Sequence, residues 1–385
     1  MRVLITHDFF ETFGGAERVT AEIAAAFPEA PVYAILGRPS VAARMGISDR
    51  VHTVLPGSSR LFDHYRRLAP LYPRLVRSAR LPEADVIVSS SYAYSHAFET
   101  PNRARKLCYC HGPLRHLWSQ TREYASHMRG GTAARLAFNA YMGPARRADR
   151  AAADSTDAFI TQSPFTAKLI ERAYGRNSQV LPPPVDCDVF RPSYQAPDDY
   201  FLFVGRLVEP YKRPSMVIDA FARMPHRRLL IAGDGPALAM LRERATPNVE
   251  FLGQLHDEDL VHAMQNCQAA IFPSVDDYGL VPLEINACGR PVLAVQAGGT
   301  LHTVKPGVTG QFLSEQSADA IVTAVEAFDS HRYDVGYIRE HALERSSARF
   351  REEIRAAAER LLGIPQPAVT PMPARRALAL AGSVA

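Results

Sequence analysis

The segment SVDDYGLVPLEINACGRPV, residues 274–292, holds the richest set of groups in this chain that could do chemistry. Asp276 precedes a helix expected to begin near Gly279, and Glu284 lies inside that helix, so its turns carry both carboxylates toward one opening. Carboxylates placed there can accept hydrogen bonds from sugar or ribose hydroxyls. The open amides of the first turn, around Tyr278, Gly279, Leu280 and Val281, suit a phosphate. An N-cap Asp and a solvent-facing helical Glu would give the same letters. The rest of the helix is apolar, however (Leu280, Val281, Leu283, Ile285, Ala287), and a buried carboxylate needs a partner. Upstream, Gly205-Arg206 and Lys212-Arg213 follow a strand. The Arg206 fork and the compact Lys212 ammonium make a suitable pair for a diphosphate, though a solvated basic loop is the commoner fate of such a cluster.

Three smaller features accompany them. Gly14-Gly15 opens a helix after the first strand, where backbone amides bind anions and glycine permits close approach; an ordinary turn would look the same. The GDGP turn at Gly233–Pro236 follows the strand LLIA and is explained by turn chemistry alone. His111 ends the strand LCYC, placed to hydrogen-bond a reacting sugar if it faces a cleft, although a lone histidine is more often structural. Two acidic pairs resemble metal ligands. Asp186-Cys187-Asp188 follows three prolines instead of a strand end and reads as structural. Asp276-Asp277 has no supporting cluster of carboxylates or histidines.

The elements that must position these groups alternate. Strands are predicted at Val3–Thr6, Asp85–Ser89, Leu107–Cys110 and Ala158–Thr161. Pro182–Pro184 and the polar stretch SYQAPDDY then mark a boundary. The alternation restarts with strands at Tyr200–Val204, Arg228–Ala232, Val249–Leu252, Ala269–Phe272 and, last, Pro291–Val295. Strands alternating with amphipathic helices predict parallel sheets covered on both faces, hence an α/β protein of two doubly wound domains with ligands at strand C-terminal ends and in the cleft. The expected divisions are 1–192, 198–338, charged helices over 339–363 that pack back toward the first domain, and a proline- and alanine-rich disordered tail over 364–385.

Composition narrows the class. Hydrophobic residues make up 47% and charged residues 22% of 385, which excludes a wholly disordered chain. Five cysteines are too few for a disulfide scaffold and read as a reduced cytosolic interior. No apolar run is long enough to span a bilayer, and MRVLITHDFF reads as a first strand instead of a signal peptide. Residues 1–190 carry 24 Lys and Arg against 17 Asp and Glu, a net +7; residues 191–385 carry 20 against 23, a net −3. The basic half predicts an anionic partner. Within it, RLFDHYRRLAPLYPRLVRSAR (60–80) interleaves six arginines with apolar residues, which suits either a peripheral contact with anionic headgroups or a solvated helical face.

The ordered set GGAERV, YCHGPLRHLW, PPPVD, VGRLVEPYKRP, IAGDGP, DDYGLVPLEINACGRPV and AGGT closely resembles retaining glycosyltransferases of family 4 over about residues 1–360. Within that family, residues 109–118, 205–213 and 276–284 most resemble bacterial mannosyltransferases of O-antigen and exopolysaccharide synthesis. The resemblance implies a GT-B fold, with two Rossmann-like domains facing across a cleft. It also implies transfer of a hexose, mannose from GDP-mannose, to a saccharide on a polyprenyl diphosphate. By position, Arg206 and Lys212 would bind the donor diphosphate, Glu284 the nucleotide ribose and Asp276 the donor sugar. His111 would lie beside the anomeric centre. Gly14 and Gly15, with Gly205, Gly233 and the 278–281 turn, would line the donor site.

No metal or other cofactor is expected, since cations take the metal's place, and the enzyme would work in the cytoplasm or on the inner membrane face. The chain departs from the family at Asp276, where relatives carry Glu, at His302, where many carry Glu, and at Gln162, where Asn is common. A UDP-sugar transferase, a nucleotide-sugar 2-epimerase and a non-enzymatic sugar-nucleotide binder share this architecture. Nucleic acid is the weakest partner, because the basic residues form no evident reading surface.

Overall fold

The structure, a computed structural model, describes residues 1–55, 65–119, 121, 131–255, 257–276 and 278–365. Asp277, the first part of the arginine-rich stretch (60–64) and the expected tail from 366 onward lie outside the described residues.

Two parallel sheets organise the chain. The first has seven strands in the order β3-β2-β1-β4-β5-β6-β7: β1 Val3–Phe10, β2 Val32–Gly37, β3 Val51–Thr53, β4 Val86–Ser91, β5 Arg105–Cys110, β6 Ala158–Thr161 and β7 Ser178–Val180. The second has six in the order β10-β9-β8-β11-β12-β13: β8 Phe201–Val204, β9 Leu229–Ala232, β10 Val249–Gly253, β11 Ala270–Phe272, β12 Val292–Val295 and β13 Gly310–Leu313. Both are the doubly wound sheets expected. Strand β13 extends the second sheet beyond the predicted last strand; it lies close enough to β12 that a Cβ on Gly310 would come within 2.1 Å of the Val292 carbonyl oxygen.

Each sheet is apolar on both faces because helices cover both. In β1, Ile5 and Phe10 enter one core and Leu4 and Phe9 the other; in β8, Leu202 enters one and Phe201 and Phe203 the other. The chain passes between domains at the three prolines, upstream of the expected polar linker: Leu181 belongs to a first-domain core and Val185 to a second-domain core. The C-terminal helical segment also divides. The Val335–Leu343 helix stays on the second domain, where Ala342 joins the core and Arg339 donates to the carbonyls of Ala287 (2.7 Å), Cys187 (2.6 Å) and Phe190. Only the Ser347–Leu361 helix returns to the first, burying Phe350, Ile354 and Ala358 in its core. Ser347 Oγ and Arg351 Nε there donate to Glu22 at 2.8 and 2.6 Å.

Both sheets reverse strand order at their first strand, between β1 and β4 and between β8 and β11. Such switch points leave a crevice beyond the strand C-termini. Gly14 and Gly15 follow β1, His111 follows β5, Gly205 and Arg206 follow β8, Gly233 follows β9 and Asp276–Glu284 follow β11, so the topology gathers them at the two facing rims.

Candidate active site

The second-domain rim is built by backbone packing between strand-end loops. Gly233 (φ +149°) lies against the β8 loop, and a Cβ there would stand 2.0 Å from the Gly205 carbonyl oxygen; Gly235 is as tight against Leu207. Gly298 and Gly299 lie likewise on the backbone of Asp276 and Tyr278, with Gly299 N donating to Asp276 O at 2.7 Å. In this structure Gly233 serves as a spacer that sets the position of Gly205-Arg206. Arg206 is exposed, and its guanidinium has no hydrogen bond or ion pair among the described residues.

Lys212 is seated at the loop before the Pro214–Ala222 helix, where the Ser215 amide and hydroxyl both donate to Glu209 Oε1 (2.8 and 2.6 Å). Its ammonium lies 5.2 Å from the Tyr211 ring centroid and 5.7 Å from that of Phe272, and it donates to Asp276 Oδ2. The expected diphosphate cation and the expected sugar carboxylate are thus each other's partner. Asp276 Oδ1 is buried with no hydrogen bond. Gly279 (φ +85°) opens the Leu280–Ala287 helix in a left-handed conformation and itself supplies no side-chain cap to the first-turn amides. Tyr278 is buried just before it, and burial pushes its phenol up to about 12.

The first-domain rim faces this helix. The Gly14-Gly15 turn starts the Gly15–Ala26 helix, and Glu17 Oε2 accepts from the Gly14 amide at 3.0 Å. A Cβ on Gly15 would lie 3.2 Å from Leu280 Cδ1, so the diglycine is where the two domains approach. One helical turn further, Arg18 donates to Glu284 Oε1, and Glu284 is only 5% exposed. Nearby, the Arg115 guanidinium sits 5.2 Å from the centroid of Tyr211, joining the YCHGPLRHLW and YKRP motifs.

His111 is half-buried. Its Nε2 lies 2.9 Å from Ser90 Oγ, and its carbonyl accepts from Gln162 Nε2 at 2.9 Å. Burial, helped by the neighbouring His7, pushes its imidazolium down to about 3, so the ring is neutral at ordinary pH. Behind it lies a buried polar chain that sequence reasoning missed. His7 Nδ1 donates to the Ser90 carbonyl (3.1 Å) and is 3.0 Å from Thr20 Oγ1. The Thr20 hydroxyl donates to Ser90 Oγ at 2.8 Å, and His7 Nε2 is 3.6 Å from Glu17 Oε1. The hydrogen-bonded chain runs from His7 through Thr20 and Ser90 to His111, with Glu17 beside its His7 end.

Asp8, also missed, is fully buried and accepts four backbone amides: Tyr92 and Ala93 on Oδ2 (2.7 and 2.9 Å), Tyr94 and Ser95 on Oδ1 (2.6 and 2.7 Å). It fixes the turn after β4. The available signal was two polar residues, His7-Asp8, inside an otherwise apolar strand.

The remaining expectations resolve locally. Asp186 Oδ1 accepts from the amides of Asp188 and Val189 (3.1 and 3.2 Å), so the D-x-D is a turn; among the described residues no three His, Cys, Asp or Glu converge as metal ligands. His302 is exposed, and burial of its ring together with the Arg345 and Lys168 cations lowers its imidazolium below the usual range. In the described part of the arginine-rich stretch, Tyr72 and Val76 turn into the core while Arg74, Arg77 and Arg80 are exposed. All five cysteines are free and buried. No helix among the described residues is long and apolar enough to cross a membrane. A hollow of about 750 Å³ lined by Asp157, Arg176, Gln179 and Arg360 lies at the opposite, N-terminal end of β6 and β7.

Two family models divide the chain: one described as Glycosyltransferase Family 4 matches residues 13–189, and one described as Glycosyl transferases group 1 matches 189–342. The D-inositol 3-phosphate glycosyltransferase of Mycobacterium marinum is 31% identical over 198 residues, covering 45% of this chain and 42% of that protein. Its namesake in Mycobacterium avium is 32% identical over 190 residues, with 43% and 45% covered. The match thus spans less than half the length of these curated relatives. Anabaena HepE in complex with UDP-glucose has a TM-score of 0.70 at 18% identity, with 94% of this chain and 100% of that chain covered. For the sucrose-phosphate synthase of Thermosynechococcus elongatus the TM-score is 0.68 at 18% identity, with 95% and 100% covered. These likenesses establish the two-domain GT-B fold, and the paired models identify residues 13–189 as similar to a Glycosyltransferase Family 4 domain and residues 189–342 as similar to a Glycosyl transferases group 1 domain.

Proposed function

We propose that the protein transfers a hexose from a nucleoside-diphosphate sugar to an acceptor hydroxyl with retention of anomeric configuration. The observation that carries this reading is the convergence of Lys212, Asp276, the open Gly279 helix N-terminus and Glu284 on one rim, with Gly14-Gly15 directly opposite. Arg206, Lys212 and the amides of Leu280 and Val281 would hold the diphosphate and stabilise the charge it gains as the glycosidic bond breaks. When the donor enters, Lys212 exchanges Asp276 for phosphate, and Asp276 turns to the sugar hydroxyls. Glu284 takes the ribose.

In this reading no side chain acts as a covalent nucleophile. The acceptor attacks from the face the diphosphate leaves, and a diphosphate oxygen takes the hydroxyl proton. A neutral His111 offers a hydrogen bond beside the anomeric centre instead of a proton. Two cations and a helix terminus supply what a divalent metal would, so the reaction needs none.

The motif resemblance favours GDP-mannose as donor and a saccharide on a polyprenyl diphosphate as acceptor. The excess of basic residues in the first half, with Arg74, Arg77 and Arg80 exposed, suits an anionic lipid diphosphate or membrane face through charge. The UDP-glucose in the HepE complex favours a uridine donor as the second reading. A panel of GDP- and UDP-sugars, with released nucleotide measured in the presence and absence of lipid-linked acceptor, tests both. Release without any acceptor would favour the 2-epimerase alternative.

A further inference from the structure

Two rows of residues meet across the cleft. Gly15 and Arg18 share one face of the Gly15–Ala26 helix, and Leu280 and Glu284 share one face of the Leu280–Ala287 helix. Gly15 approaches Leu280, and Arg18 donates to Glu284. The Arg18 guanidinium is held by both domains, 5.7 Å from the ring centroid of Phe13 on the first-domain side and 5.7 Å from that of Phe190, a member of a second-domain core.

Glu284 is a buried carboxylate, and a carboxylate that deep needs a partner. Arg18 occupies Oε1 alone. Glu284 Oε2 has no hydrogen bond among the described residues, and an ionised carboxylate has lone pairs for several donors.

From this geometry we infer that Arg18 is a positioning residue for the nucleotide ribose: it reaches from the first domain to hold Glu284 aimed, so that Oε2 accepts the ribose hydroxyls. Ribose recognition, a property of the second domain, thereby depends on the first domain being closed against it. The inference rests on the proposed donor site, and deepens it by adding a residue outside the carbohydrate and phosphate contacts.

The test is calorimetric titration with GDP and 2′-deoxy-GDP, and with UDP and 2′-deoxy-UDP, on the wild type, Arg18→Gln, Arg18→Lys, Glu284→Gln and the Arg18→Gln/Glu284→Gln double variant. The wild type should prefer the ribonucleotide of the pair it binds. Arg18→Gln should weaken the ribonucleotide roughly tenfold while leaving the deoxynucleotide unchanged, Arg18→Lys should be intermediate, and Arg18→Gln should add nothing once Glu284 is Gln. Arg18→Gln binding the ribonucleotide as tightly as wild type, or losing both nucleotides equally, would overturn the role of Arg18. A wild type indifferent to the 2′-hydroxyl, with Glu284→Gln silent, or one that binds neither nucleotide, would instead overturn the donor-site reading beneath it.

Discussion

Lys212 and Asp276 are ion-paired at the mouth of the second domain, and the other oxygen of that carboxylate, Asp276 Oδ1, is buried without a hydrogen bond among the described residues. The two chief polar groups of the rim are held against each other. A donor that carries a diphosphate and hydroxyls can engage both at once. This exchange is the core of the proposed chemistry.

Lys212→Ala should therefore lower transfer by on the order of 100-fold or more, the usual cost of removing a group that stabilises developing charge. The fold should survive, because the lost pair sits on a rim. Transfer rate and circular dichroism of the same preparation check this. A folded variant with full activity would remove the diphosphate role.

Asp276→Glu lengthens the reach by one methylene. Donor use should persist, with kcat/KM changed by sugar epimer more than by base. Asp276→Ala should lose transfer with every sugar. A competition assay between sugars on one nucleotide reads the difference.

Gly233→Ala should act on Arg206 at a distance. The added methyl would overlap the Gly205 carbonyl, and the φ of +149° is unfavourable for alanine, so the β8 loop must shift. Donor KM should rise at least roughly tenfold, in keeping with the rate lost on misplacing a site by an ångström. An unchanged KM would show that the two loops are not packed as described.

Much of the two rims was legible in the sequence where groups stand directly after apolar strands: Gly205, Gly233 and His111 announce themselves by position. The polar chain His7–Thr20–Ser90–His111 was not legible. Its members come from three separate segments and become neighbours only when β1, β4 and β5 pair. Asp8 was hidden for the same reason, since its four amide partners lie at Tyr92–Ser95. Strands β3 and β7 are short, half-exposed edge strands without an apolar run to betray them. The Arg18–Glu284 pair spans two domains and carries no local pattern at all.

Asp8→Ala should be costly to stability. It strips four buried amides of a charged acceptor, and an interaction of that type is worth about 3 kcal/mol or more. Urea unfolding should show the loss, with the turn after β4 the first region to exchange amide hydrogens. A cost below about 1 kcal/mol, the value of an ordinary hydrogen bond, would contradict the burial of its carboxylate.

Stability should also fall with acid. His111 and His341 are held neutral by burial, down to about 3 and about 4. Below the ordinary histidine value of about 6.5 the unfolded chain binds protons that the folded chain refuses, so stability rises with pH through that window and is lost as pH falls through it. Denaturation midpoints from pH 4 to 7 should show this slope, and His341→Gln should flatten it.

The most direct measurement is transfer itself with a chelator present: purified protein, a panel of GDP- and UDP-hexoses, a lipid-linked saccharide acceptor, and the anomeric configuration of the product read by NMR. The account predicts nucleotide release that requires acceptor, tolerates the chelator and gives a product of the donor's own anomeric configuration. An inverted product, release indifferent to acceptor, or activity that returns only with added divalent metal would contradict it.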